Sequence, residues 1–322
     1  MYAALSFLIL LALGFSFLEY RRSFPYQEVE QSQSAEQSQP AEQSQPKLPV
    51  ATEPERDVDE AWATALAQDA SPTLATPGET MEFDHRIALT FDDGPDPVTT
   101  PAVLDVLHDY HIKATFFVIG ARAEQHPELI ERIVDEGHTL GNHTYYHRDL
   151  TKLAPESTQT ELQDTQAVIN RALGRYYRVT LFRPPCGAPY NTDLDKLPGF
   201  QEAMRDQQMY PVMWTIDPGD WALGDQPERI VANLSQSTPE SGGVVLLHDT
   251  QPQTAEALSK VLDYYFTSGF EFTGVRDLLA DKYAVDPKGI QAEPSTRGPD
   301  SPPPSGGGDY PGDLAALSEC LT

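Results

Sequence analysis

Between residues 83 and 283, short β-branched and aromatic runs alternate with longer amphipathic patterns, and no other feature of the chain constrains its fold as tightly. Strands are expected at 87–91, 114–119, 139–142, 180–183, 211–216, 244–247 and 270–272. Helices are expected at 99–110, 127–136, 155–173, 193–207, 227–236, 253–268 and 275–282. Strand–helix alternation of this kind builds a mostly parallel sheet, either open or closed into a barrel. Seven alternations fall one short of the eightfold barrel.

The flanks have a different composition. The chain has 322 residues, with 28 Pro and 39% hydrophobic residues, the mixture expected when a folded domain is diluted by polar, unfolded segments. Residues 2–18 are apolar and uncharged and are closed by Glu19, Arg21 and Arg22. Residues 1–22 therefore read as a membrane anchor or signal segment, with an uncleaved anchor favoured. The Arg pair lies on the C-terminal side, where the positive-inside rule would keep the following chain in the cytoplasm. Residues 23–82, with AEQSQP repeated in tandem at 35–40 and 41–46, read as a disordered tether. Residues 284–322, with SPPPSGGGDYPG, read as a disordered tail. A formal net charge of −27 argues against a nucleic-acid partner, because phosphate neutralisation needs a basic surface. Two cysteines are too few for a disulfide scaffold or a four-thiolate zinc module.

In parallel α/β architectures, chemistry gathers at the carboxyl ends of strands, and here the unusual polar residues recur there. The first strand runs into Asp92 and Asp93, the third into His143, Thr144 and His147, and the fourth into Arg183 and Cys186. The fifth runs into Asp217, Asp220 and Trp221, and the sixth into His248 and Asp249. Adjacent carboxylates in a closed site repel, so one must hold a cation or carry a raised pKa; turn residues before Gly94–Pro95 are the plainer alternative. His143 and His147 are four apart, which on a helical turn would aim both imidazoles at one point. A carboxylate with two histidines and open positions is a hydrolytic or redox metal arrangement, and nothing signals oxygen activation. Arg183 is either a structural ion pair or the cation that fixes a carboxylate as ionised. Asp220 is either a helix cap or the acceptor that orients a histidine. Trp221 is either core or an apolar wall, and Asp249 reads as a turn or helix-start residue.

Together these residues resemble a known family. TFDDGP (90–95), HTYYH (143–147), RPPCG (183–187), DPGDW (217–221) and LLHD (246–249) resemble, in order, the five motifs of the polysaccharide deacetylases, the NodB-homology family-4 carbohydrate esterases. The resemblance covers residues 83–283 and implies a distorted (β/α) barrel of about seven parallel strands. It also implies one divalent metal, zinc first, with cobalt, nickel or manganese possible. Carried over, Asp93, His143 and His147 are metal ligands and Asp92 is the general base, held charged by Arg183. His248 is the general acid, oriented by Asp220. Trp221 and Leu246 line the acetyl pocket, Thr144 braces the histidine loop by hydrogen bonding, and the Cys186 backbone N–H faces the oxyanion. Cys186 replaces the family's usual aromatic residue, which removes ring surface from the groove and places a thiol near the metal.

The function expected is metal-dependent removal of N-acetyl groups from N-acetylglucosamine units of a polysaccharide, peptidoglycan first and chitin-like oligomers next. The expected setting is extracytoplasmic, membrane-anchored or secreted, with no nucleic-acid partner and no oligomer. O-acetyl xylan esterase or small-amide hydrolase activity on the same fold are alternatives, as is a catalytically silent wall-binding module. A silent module would be expected to lack Asp92 or His248.

Overall fold

β1 (Arg86–Asp92) runs through the middle of the sheet, and its sequence, RIALTFD, is buried from its second residue onward. A parallel strand packed on both faces must be nearly continuous in apolar residues, and β1 meets that demand until its carboxyl end turns polar. The computed structural model describes residues 73–75 and 81–283, all within the compact unit Pro54–Thr322. From β1 the chain passes through α1 (Thr99–Asp109), β2 (Thr115–Val118), α2 (Gly120–Gln125), α3 (Pro127–Asp135) and β3 (Thr139–Asn142). It continues through α4 (Pro155–Ala172), β4 (Leu181–Phe182), α5 (Leu197–Asp206) and β5 (Tyr210–Pro211). The last elements are α6 (Pro227–Ser237), β6 (Gly242–His248), α7 (Pro252–Thr267), β7 (Glu271–Phe272) and α8 (Val275–Tyr283). Proline opens α3, α4, α6 and α7, where its missing N–H costs no hydrogen bond.

Seven strands form one parallel sheet, six of them in the order β5-β4-β3-β2-β1-β6, with β7 off that path and paired to β1. β6 pairs with β1 along its whole length, from Arg86↔Gly242 to Asp92↔His248. On the other edge of β1, β7 takes Arg86 and Ile87 while β2 takes Thr90 to Asp92. The two ends of the sheet meet through the chain after β5: Ile216 bridges Val245, and Thr215 N–H donates to the Val244 carbonyl at 3.0 Å. The result is the distorted barrel expected from the motifs.

The pleat separates two environments. Ile87, Leu89 and Phe91 point to the helical layer and pack with Leu104, Val245, Leu247 and Leu258. Ala88 points inward, with Val244, Phe117, Leu181 and Val212. Thr90 and Asp92 continue the inward face, so the barrel interior changes from apolar to polar toward the carboxyl ends of the strands.

Three regions depart from the expectations. The stretch 211–216 is not one strand. Tyr210–Pro211 pairs with β4, Val212 pairs with Leu74 and Ile216 with Val245, so the segment changes partner as it crosses the gap in the barrel. The span assigned to the tether includes Leu74, fully buried in the inner core, with Leu74 N–H donating to the Pro211 carbonyl at 3.0 Å. Burial of that side chain and use of the free edge of Val212 fix 73–75 against the barrel. Helix α2 was not expected; its six residues, GARAEQ, are too few to show a helical period. Among the described residues no helix is long and apolar enough to cross a membrane. The segment 1–22, most of the tether and the tail lie outside the described residues.

Candidate active site

The carboxyl end of β1 delivers two aspartates to one rim by different means. Asp92, the last strand residue, faces inward and is 4% exposed. Strict alternation would send Asp93 to the opposite face, but its φ of 74° turns the backbone and brings its carboxylate back to the rim. Gly94 follows because the chain passes against a buried carboxylate: a Cβ there would lie 2.2 Å from Asp249 Oδ2. Asp92 Oδ1 accepts a hydrogen bond from Arg183 Nη1 at 2.8 Å. Arg183, fully buried, also donates to Thr90 Oγ1 at 2.7 Å and to the carbonyls of Val212 and Met213. Its guanidinium lies 4.3 Å from the centroid of the Phe117 ring. A buried charge demands this degree of pairing, and Arg183 receives it from Asp92, Thr90 and two backbone carbonyls.

Asp93, His143 and His147 converge, with ligand atoms all within 4.8 Å of one another. Asp93 Oδ1 is 3.4 Å from His143 Nε2 and 3.3 Å from His147 Nε2. His143 Nδ1 lies 2.7 Å from the Arg183 carbonyl, which can only accept, so this nitrogen carries a ring proton and Nε2 is the atom turned to Asp93. Burial opposes a charged ring there, but the Asp92 and Asp93 carboxylates outweigh it and push the His143 imidazole up. Asp93 Oδ1 is buried without a hydrogen-bond partner among the described residues. Burial pushes the His147 imidazole down to about 4, so this ring is neutral at pH 7. Burial would raise the Asp93 carboxyl, yet the adjacent His143, His147 and His248 hold it well below the usual carboxylate range. An ionised carboxylate and two imidazoles facing one point are a donor set that fits a divalent cation, whose charge would favour the deprotonated Nε2 atoms.

The two histidines do not sit on a helical turn. They leave β3 in an irregular loop with positive φ at Thr144 (66°) and His147 (57°). Thr144 braces this loop through its backbone: its N–H donates to Asn142 Oδ1 at 2.8 Å, and its carbonyl accepts from Gly120 N–H at 2.9 Å. The hydroxyl takes no part in this bracing, since Thr144 Oγ1 is buried without a hydrogen-bond partner among the described residues.

His248 ends β6 beside Asp92 in the strand register. Its Nδ1 donates to Asp220 Oδ1 at 2.8 Å, and its backbone N–H donates to Asp220 Oδ2 at 2.8 Å. Asp220 is fully buried and also accepts from Thr254 Oγ1 at 2.6 Å and from Trp221 N–H at 2.9 Å. Burial would lower the His248 imidazole, but the paired Asp220 outweighs it and pushes it up to about 10. His248 is therefore an imidazolium at neutral pH, with Nδ1 engaged and Nε2 left to face the site.

Leu246 is buried two residues before His248, and alternation puts both on one face of β6. Trp221 follows Asp220 and is 43% exposed, so it is not a core residue. Cys186 has a φ of 57° in the turn after Arg183 and is disulfide-bonded, so no free thiol stands near the site. The other cysteine of the chain, Cys320, lies outside the described residues. Asp249 lies in the turn between β6 and α7, as expected, but it is buried there. It is 1% exposed, its Oδ2 accepts from Thr100 Oγ1 at 2.5 Å, and burial pushes its carboxyl up to about 7. Sequence reasoning missed Thr254 and assigned no role to Thr90 or Asn142; the polar side chains of Thr90, Thr254 and Asn142 hold Arg183, Asp220 and the histidine loop. Thr90 carried a signal, as the one hydroxyl within the apolar run IALTF.

Comparison with known proteins agrees with this geometry. Residues 82–198 match the family model described as polysaccharide deacetylase. The chain is 35% identical over 225 residues to a peptidoglycan-N-acetylglucosamine deacetylase of Bacillus cereus, a match covering 68% of this chain and 99% of that protein. It is also 35% identical over 202 residues to the peptidoglycan-N-acetylmuramic acid deacetylase PdaC of Bacillus subtilis, covering 62% of this chain and 40% of that longer protein. Among solved structures, the Bc1960 peptidoglycan N-acetylglucosamine deacetylase superposes with a TM-score of 0.58 at 28% identity, covering 69% of this chain and 97% of that one. With relatives matched across nearly their whole length and the five motifs gathered on one rim of a distorted barrel, this chain belongs to the polysaccharide deacetylase family.

Proposed function

We propose that this protein is a hydrolase that removes N-acetyl groups from N-acetylglucosamine units of peptidoglycan, with one divalent cation, zinc first, held by Asp93, His143 and His147. The observation that carries the proposal is the facing of three metal-type donor atoms beside two further groups, Asp92 paired to Arg183 and His248 paired to Asp220. A bound divalent cation supplies Lewis-acid polarisation of the amide carbonyl and lowers the pKa of water. Asp92, its carboxylate held against the Arg183 cation, takes the proton of the attacking water. The Cys186 backbone N–H donates to the oxygen that gains charge. His248 Nε2 gives its proton to the departing nitrogen, because an amide nitrogen leaves poorly unless protonated. The C–N bond breaks as the new C–O bond is completed, and acetate and a free amine result. Asp220 keeps His248 charged and oriented throughout, and Leu246 and Trp221 line the acetyl pocket.

The choice of peptidoglycan rests on the activity named for the relatives. An extracytoplasmic setting is supported by the peptidoglycan named for the relatives. The apolar segment 2–18 serves as the anchor in this reading. The test is release of acetate from N-acetylglucosamine oligomers and from purified peptidoglycan by the zinc-loaded protein. Release that stops with a chelator and returns with zinc is expected. Release unaffected by chelation, or absent from both substrates, overturns the proposal.

A further inference from the structure

The loop that carries both histidines is held from outside the site, and one charged side chain does much of the holding. Helix α4 buries a stripe of Thr158, Leu162, Thr165, Val168 and Ile169, and in that stripe stands Glu161, 5% exposed. A carboxylate on the core face of a helix is costly unless fully paired. Glu161 Oε2 accepts from Tyr145 N–H at 2.9 Å and Tyr146 N–H at 2.8 Å, the residues between Thr144 and His147. Its Oε1 meets Arg148 Nε, just past His147, at 3.5 Å. The same stretch of α4 holds the near end of the loop, where Asn142 Nδ2 donates to the Leu162 carbonyl at 3.0 Å. From the other side the N-terminus of α2 supplies Gly120 and Ala121 N–H to the carbonyls of Thr144 and Tyr145.

We propose that Glu161 is a positioning residue for the cation site, its carboxylate accepting two successive loop N–H groups so that His143 and His147 face one point. This inference rests on the metal reading above. The backbone from His143 to His147 is neither helix nor strand and holds two non-glycine residues at positive φ, so no helix or sheet hydrogen bonds maintain it. Glu161 supplies acceptors that the loop lacks, and the ligand geometry follows. Because the carboxylate touches neither ligand, its removal leaves all three donor side chains present but poorly aimed.

The test compares zinc affinity, by competition with a chromogenic chelator, in the full chain and in Glu161→Met and Glu161→Gln. Met keeps the buried volume and removes the acceptors, leaving the Tyr145 and Tyr146 N–H groups and Arg148 without that partner, so a lowered melting temperature is expected. Glu161→Met is expected to fold cooperatively without metal but to bind zinc about 10- to 100-fold more weakly. Glu161→Gln retains an acceptor oxygen and is expected to bind within about threefold of wild type. A folded Glu161→Met that binds zinc like wild type overturns the inference, and so does a Gln variant as weak as Met. Failure of Glu161→Met to fold assigns the residue to global stability and overturns it as well. Absence of zinc binding by the wild-type chain instead overturns the metal reading itself.

Discussion

The two sides of the rim are built on opposite principles. On the acid side, both carboxylate oxygens of Asp220 accept two hydrogen bonds each, from His248, Trp221 and Thr254, and nothing there awaits a ligand. On the metal side, Asp93 Oδ1 lies 3.4 Å and 3.3 Å from two imidazole nitrogens, buried and without a donor. The first side is complete as folded, and the second, in the proposed function, is completed by a cation. The contrast teaches that hydrogen-bond satisfaction separates a residue that orients from one that binds, although both sides use the same side chains, Asp and His.

Variants can break or sharpen this contrast. The largest effects are expected where each side meets the substrate. Asp92→Asn and His248→Ala should each lower kcat on N-acetylglucosamine oligomers by about 10²–10⁴ while zinc stays bound at wild-type stoichiometry. Wild-type turnover in either variant removes that residue from its role. Asp220→Asn should have a smaller effect, about 10- to 100-fold, since it acts through His248. Its signature is the titration of His248, followed by NMR on metal-free protein. The imidazolium is the acid form, present below its pKa and lost above it. In wild type it should persist to about pH 10, and in Asp220→Asn it should be lost nearer the ordinary histidine value. An unchanged titration contradicts the pairing. The smallest effect is expected at Asp249, which faces Gly94 beneath the aspartate turn. Its folded-state carboxyl is pushed up to about 7, so the folded protein holds a proton that the unfolded chain has released above pH 4. Stability of the metal-free protein should therefore carry a contribution that falls as pH rises from about 4 to 7. Asp249→Asn, read by urea unfolding across that range, should flatten the slope with little loss of activity.

The parts of this arrangement that were legible in the sequence are those set by one strand at a time. β1 and β6 show as runs because parallel strands buried on both faces need continuous apolar side chains, and the change to polar residues at their carboxyl ends marks the rim. The family motifs then placed Asp93, His143 and His147 together, and Asp92 beside Arg183. Features set by distant contacts were not legible. HTYYH has helical spacing, but its loop takes its shape from Asn142, Glu161 and the N-terminus of α2. Leu74 is a single apolar residue amid Thr, Ala and Pro, and only Val212 across the sheet gap shows why it is ordered. Asp249 resembles any acidic turn residue until Thr100 and Gly94 are brought against it.

The central claim is that the metal side is a cation site, and titration of metal-free protein with zinc, followed by metal analysis after gel filtration, tests it most directly. One tightly held zinc per chain in the wild type, abolished in the His143→Ala, His147→Ala double variant, is the predicted result. A wild-type chain that retains no zinc, or a double variant that still retains one per chain, would contradict it.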